Sequence, residues 1–111
     1  MKGLRSERLG RQVQRELGEI FLELQRDVFK GKLITVSEVR MTPDLLEARV
    51  YLSIFPSEEA QSILEEVKNL KSEIRFRLGK KLSHIRRIPD LKFFLDDTLD
   101  YLEHIDQLLK K

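Results

Sequence analysis

Apolar residues recur at three- and four-residue steps from Leu9 through Val13, Leu17, Ile20 and Phe21 to Leu24. That spacing puts them on one stripe of a helix, so residues 4–26 are predicted helical. At about 100° per residue, Arg5, Arg8, Arg11 and Arg15 fall within roughly 120° of one another on a different side. Residues 33–41 change to β-branched alternation, with a shift of phase near Ser37-Glu38 that predicts a bulge. Thr42-Pro43-Asp44 reads as a turn. Over residues 47–55, Ala48, Val50, Leu52 and Ile54 face one way and Arg49, Tyr51 and Ser53 the other, completing a hairpin with one buried face.

A helix start follows at Pro56-Ser57-Glu58-Glu59, with Ser57 as the expected N-cap and two acids in the first turn. The stripe Ile63, Val67, Leu70, Ile74, Leu78, Leu82, Ile85 continues to about residue 85 as one helix or two, and Pro89 closes it. Residues 91–95 predict a third strand. Asp96-Asp97-Thr98 can cap a last helix with the stripe Leu99, Leu102, Ile105 and Leu109.

Three strands and helices with one apolar face each pack compactly as helices on one side of a small sheet, an α+β fold. The order helix-strand-strand-helix-helix-strand is that of the type II KH architecture, here with an extra C-terminal helix. Other KH folds grip RNA phosphates with a Gly-x-x-Gly loop, and none of the five glycines forms one. Residues 1–111 are read as a single domain, since 111 residues suit one core and no repeat or linker interrupts them.

Net charge is only +2, but it is unevenly placed. Residues 71–92 hold eight Lys or Arg against two acids, whereas residues 93–111 hold two against five. A local excess of this size favours phosphate contact over plain solvation. Arg75, Arg77, Lys80, Lys81, Arg86, Arg87 and Lys92 make up this segment with Lys71. Phe76 lies among these charges, where it can stack on a base or be covered by the C-terminal helix, and the second is the expected state.

Enzyme chemistry finds no support. There is no cysteine, no Gly-rich phosphate loop, and no Ser or His in a recognisable nucleophile motif. His84 and His104 lie in segments of opposite charge, so no metal site is expected. Asp96, Asp97, Asp100 and Asp106 fit a role at a helix N-terminus, where the dipole favours acids. No apolar run approaches the ~20 residues of a membrane span, and Met1-Lys2-Gly3-Leu4-Arg5 lacks a signal-peptide core. The expected location is the cytoplasm.

The chain also resembles the ribosome-binding factor A family along nearly its whole length. The resemblance rests on Gln14-Arg15-Glu16-Leu17, Thr35-Val36-Ser37-Glu38-Val39, Pro43-Asp44-Leu45 and Ala48-Arg49-Val50-Tyr51. It continues through Ile74-Arg75, Leu78-Gly79-Lys80 and Arg87-Ile88-Pro89-Asp90-Leu91-Lys92-Phe93 to Asp96-Asp97-Thr98. It implies a KH-like ribosome-binding domain whose Gly-x-x-Gly loop is replaced by a kink between two helices. It further implies non-catalytic binding to the small (30S) ribosomal subunit and its 16S RNA, help with late maturation and 5′-end processing, and support of growth in the cold. No cofactor, small-molecule substrate or membrane is implied, and a monomer is expected.

The chain departs from the family at several places. Leu70-Lys71-Ser72 stands where an Ala-x-Gly kink is usual, Val28 follows Asp27 in place of Pro, and Leu102 replaces a common Gly. The stretch from Gly79 to Pro89 is one residue longer. The residues expected to meet RNA are Arg5, Arg8, Arg11 and Arg15 on the first helix and the seven basic residues of 75–92. Two other readings compete: a module that docks an acidic protein, and a first helix lying on a membrane surface. The second is disfavoured because the sheet needs that helix as cover.

Overall fold

The computed structural model describes residues 2–96. In chain order it contains α1 (Lys2–Asp27), β1 (Leu33–Met41), β2 (Glu47–Phe55), a 3-10 turn (Ser57–Glu59), α2 (Ala60–Asn69), α3 (Lys71–Lys81) and β3 (Asp90–Leu95). This is the type II KH-like order α-β-β-α-α-β. The sheet runs β1-β2-β3, antiparallel between β1 and β2 and parallel between β2 and β3. The expected C-terminal helix, with Leu99, Leu102, Ile105 and Leu109, lies outside the described residues.

The alternation along β2 sends Ala48, Val50, Leu52 and Ile54 into the core, where they meet Val13, Leu17, Ile20, Phe21 and Leu24 of α1. Phe21 stands edge-on to Phe93 of β3, ring centroids 6.3 Å apart. Helix α1 therefore reaches across the sheet from its cover over β1 to the opposite edge strand. At Gly10 the helix comes so close to the sheet that a Cβ would lie 3.2 Å from the Val39 carbonyl oxygen. Hydrogen-lined glycine is what permits that approach.

The phase change in β1 is a bulge. Val36 pairs with Leu52 and Glu38 with Tyr51, leaving Ser37 without a register partner, and its hydroxyl donates to the Tyr51 carbonyl at 3.1 Å. β1 is an edge strand, and α1 supplies hydrogen bonds to it. The Ile34 N–H donates to Gln25 Oε1 at 2.7 Å, and Gln14 Nε2 donates to the carbonyls of Val36 and Ser37, each at 3.4 Å.

The second helical region differs from its sequence reading in two ways, its start and its end. Ser57 is not the cap: Pro56 holds the N-cap position in extended geometry with no side-chain cap bond. The Ser57 hydroxyl lies inside the 3-10 turn, 3.5 Å from the Glu58 carboxylate. Between them the helix breaks at Leu70, in the Leu70-Lys71-Ser72 stretch where the resemblance implies a kink; its φ of −94° and ψ of 11° leave the helical region between α2 and α3. The Leu70 N–H still reaches the carbonyls of Glu66 and Val67 at 3.2 and 3.0 Å, and Leu70 accepts from Ile74 at 2.9 Å. The break occurs without a glycine, and both backbone polar groups of Leu70 keep partners across it. Finally, α3 ends at Lys81 rather than near residue 85. Leu82 and Ile85 continue the apolar stripe from a loop, the first buried and the second partly so.

Candidate nucleic-acid interface

The basic residues expected to act together divide into two groups. The first is tied down inside the protein. Arg77 bridges Glu73 at 2.9 Å and Glu23 of α1 at 3.2 Å, and Lys81 bridges Glu19 of α1 at 3.0 Å. These contacts raise both basic groups above their ordinary values, Glu73 being the main cause for Arg77 and Glu19 for Lys81. They fasten α3 alongside α1. Arg75 donates to the carbonyls of Ile88 and Pro89 at 2.9 and 3.2 Å, anchoring the end of the 82–89 loop. Lys92 faces Asp90 at 3.6 Å. Lys80 sits over the Phe76 ring, 4.5 Å from its centroid, and that ring is 61% exposed. The helix expected to cover Phe76 lies outside the described residues.

The second group is uncommitted among the described residues. Arg5, Arg8, Arg11, Arg15, Arg86 and Arg87 are all exposed, and no ion pair joins any of them to a described residue. The outward side of α1 carries the first four. Arg86 and Arg87 come from the 82–89 loop, more than seventy residues away, yet the fold brings them to the first turns of α1. There Arg5, Arg8, Arg86 and Arg87 line a single groove of about 490 Å³. Arg11 and Arg15 continue the basic surface along the helix.

The groove has parts that the sequence reading passed over. Leu9, Leu45, Leu46 and Ile85 line it together with Gln12, His84 and Asp44. A turn between hairpin strands is ordinarily polar, so Leu45-Leu46 after Pro43-Asp44 was the available signal. Asp44 holds this turn: its carboxylate accepts from the Thr42 hydroxyl at 2.7 Å and from the Leu46 N–H at 3.1 Å. These bonds, the hydroxyl first, keep the carboxyl below its ordinary range. Leu45 adopts φ of +64°, a left-handed conformation that costs an L-residue about 1–2 kcal/mol.

The leucines of the groove are thus walled by guanidinium groups that have no ion-pair partner among the described residues. Arginine's planar fork matches phosphate oxygens two at a time, and such charge-assisted bonds are stronger than neutral ones. The open face of the sheet is different in kind. Tyr51 and Phe94 stack there at 5.3 Å, but Arg40, Arg49 and Lys92 are each matched with Glu38, Glu47 and Asp90. That face is charge-balanced. Among the described residues, no group of three His, Cys, Asp or Glu is placed to hold a metal ion, and no helix is long and apolar enough to cross a membrane.

One contact at the start of β3 is pH-sensitive. Lys71 Nζ lies 3.1 Å from Asp90 Oδ1, and that bond, ahead of the charge of Lys92, depresses the Asp90 carboxyl. A depressed carboxyl contributes stability above its unfolded value, near pH 4, and loses it as pH falls through the folded value. Asp90→Asn should therefore flatten the acid limb of stability below about pH 4, as read by urea unfolding at a series of pH values. An unchanged limb would assign it to other carboxylates.

Comparison with known proteins agrees with this fold. Residues 5–109 match the ribosome-binding factor A family. The ribosome-binding factor A of Cytophaga hutchinsonii is 38% identical over all of this chain and 84% of its own length. That of Chlorobaculum tepidum is 42% identical over 96% of this chain and 89% of its own. The crystal structure of ribosome-binding factor A from Thermus thermophilus superposes with a TM-score of 0.67 at 27% identity, over 81% of this chain and 94% of that one. A homology model of the Thermus thermophilus factor, as fitted into the cryo-electron-microscopy map of a complex of the 30S subunit with ribosome-binding factor A, gives 0.61 at 27% identity, over 78% of this chain and 89% of that one. On its sequence and on its fold, the chain belongs to the ribosome-binding factor A family.

Proposed function

We propose that this protein is a cytoplasmic, non-catalytic maturation factor of the small ribosomal subunit, which binds 16S RNA through the arginine groove and the outward side of α1. The observation that carries this reading is the convergence of Arg5, Arg8, Arg86 and Arg87 on one groove with no ion pair to a described residue. Guanidinium groups gathered from two distant segments, without an ion-pair partner among the described residues, suit a polyanion. The family relation supports the small subunit as its source, because a Thermus relative has been fitted into a 30S complex. Assistance to late maturation and to 5′-end processing of the RNA, and a role in cold growth, belong to the same proposal.

Phosphate contact carries a measurable signature. If about five phosphates are neutralised, log affinity falls against log salt with a slope of roughly −3.5 to −4.5, because each contact releases condensed counterions. Co-sedimentation of the protein with purified small subunits, large subunits and naked 16S RNA across a salt series tests this. Selective binding to small subunits with that slope is expected. Equal binding to every RNA would make the protein a general polyanion binder. Binding that survives nuclease digestion would move the groove to an acidic protein partner.

A further inference from the structure

We propose that the groove holds one unpaired nucleotide of the bound RNA, its base lying on Leu9, Leu45, Leu46 and Ile85 and its flanking phosphates against the arginines. This rests on the RNA-binding reading above and specifies what the site selects. A surface that reads only the backbone of a duplex requires cations, and its bases remain stacked out of reach. Apolar walls among the cations add nothing to such a contact. Against an unstacked base they remove apolar surface from water on both partners.

The leucines are presented deliberately. Leu46 is 45% exposed at a turn, and Leu45 is held at φ +64°. Non-glycine residues persist in that region where their surroundings enforce it, and such strain gathers at ligand sites. The enforcement here is the Asp44 carboxylate, locked by the Thr42 hydroxyl and the Leu46 N–H. Among the described residues, Asp44 is also the only acid lining the groove. The walls are therefore set before the ligand arrives, which reduces the ordering cost of binding. A volume of about 490 Å³ is within the range of small-ligand pockets, roughly 300–1,000 Å³. Charge complementarity selects a phosphate-bearing occupant, and the leucines select a flat apolar one.

The test uses the whole chain on small subunits. The sequence contains no cysteine, so Leu46→Cys creates a single attachment point for a short photo-crosslinker. A crosslink to one unpaired nucleotide of 16S RNA is expected. That base should also lose at least about tenfold of its reactivity toward a base-modifying reagent when wild-type protein binds, the scale of one good apolar contact. Leu45→Asn is the companion variant, because asparagine adopts the left-handed conformation readily while removing the apolar wall. It should unfold near the wild-type temperature and, at protein concentrations that saturate the subunits, leave the base reactive. Crosslinks confined to paired nucleotides or to ribosomal proteins, or protection that survives Leu45→Asn, would overturn the proposal while leaving small-subunit binding in place. Failure of wild-type protein to co-sediment would remove the RNA-binding reading itself, and this proposal with it.

Discussion

Reversing three groove charges together (Arg8→Glu, Arg86→Glu, Arg87→Glu) is expected to weaken small-subunit binding at least about 100-fold in 0.1 M salt, with the fold intact. Each lost phosphate contact removes about 0.7 from the salt slope, which at 0.1 M is about 0.7 of a decade in affinity relative to 1 M. Three contacts give about two decades, and the new carboxylates add repulsion. Thermal stability should barely move, because all three side chains are exposed and none has an ion-pair partner among the described residues. The opposite pattern is expected for Arg77→Glu with Lys81→Glu. Those changes set carboxylates against Glu19, Glu23 and Glu73, so stability falls and any binding loss is partly indirect. Co-sedimentation and thermal unfolding, run on both variants, separate the cases. Wild-type affinity in the groove triple would remove the groove from the interface.

The largest loss of stability is expected from Phe21→Ala, about 3–5 kcal/mol. Phe21 is fully buried and meets Phe93 edge-on. Its removal forfeits the transfer free energy of the ring, leaves a cavity, and deletes an aromatic pair. Domains of this size are stable by only about 5–15 kcal/mol, so the variant should be near the edge of folding, with its midpoint lowered by more than about 10 °C. Chemical denaturation gives the value directly. A loss below about 1.5 kcal/mol, the level of a tolerated core swap, would mean that α1 and β3 are not joined through this side chain.

Much of the scaffold was legible because period and burial agree. The stripe from Leu9 to Leu24 is α1, and the alternation from Ala48 to Ile54 is β2, with strand limits for β1 and β2 that match the sequence reading. The slip of phase at Ser37 marked the bulge. The end of α3 was hidden because Leu82 and Ile85 pack on the core from a loop, and apolar spacing is blind to whether the backbone between contacts is helical. The break at Leu70 left no trace in the periodicity, since Leu70 stays on the stripe and neither Gly nor Pro marks it; only the family resemblance pointed to a kink there. The groove was legible only in pieces. The sequence shows that residues 5–15 and 75–92 are basic, but whether an arginine is free depends on partners such as Glu19 and Glu23, more than fifty residues from Arg77 and Lys81. Tertiary pairing, not composition, separates the fastening cations from the available ones.

The amides of Gln14 and Gln25 have a consequence for the protein in a crowded cell. An edge strand with open donors and acceptors is a template for strand addition, the first step toward aggregation. Docking of α1 places one amide on the Ile34 N–H and the other on the Val36 and Ser37 carbonyls. A second chain adding a strand at these positions would first have to displace them. The period in which this hairpin can recruit another therefore closes when the first helix settles onto it, and the same helix carries the arginines outward.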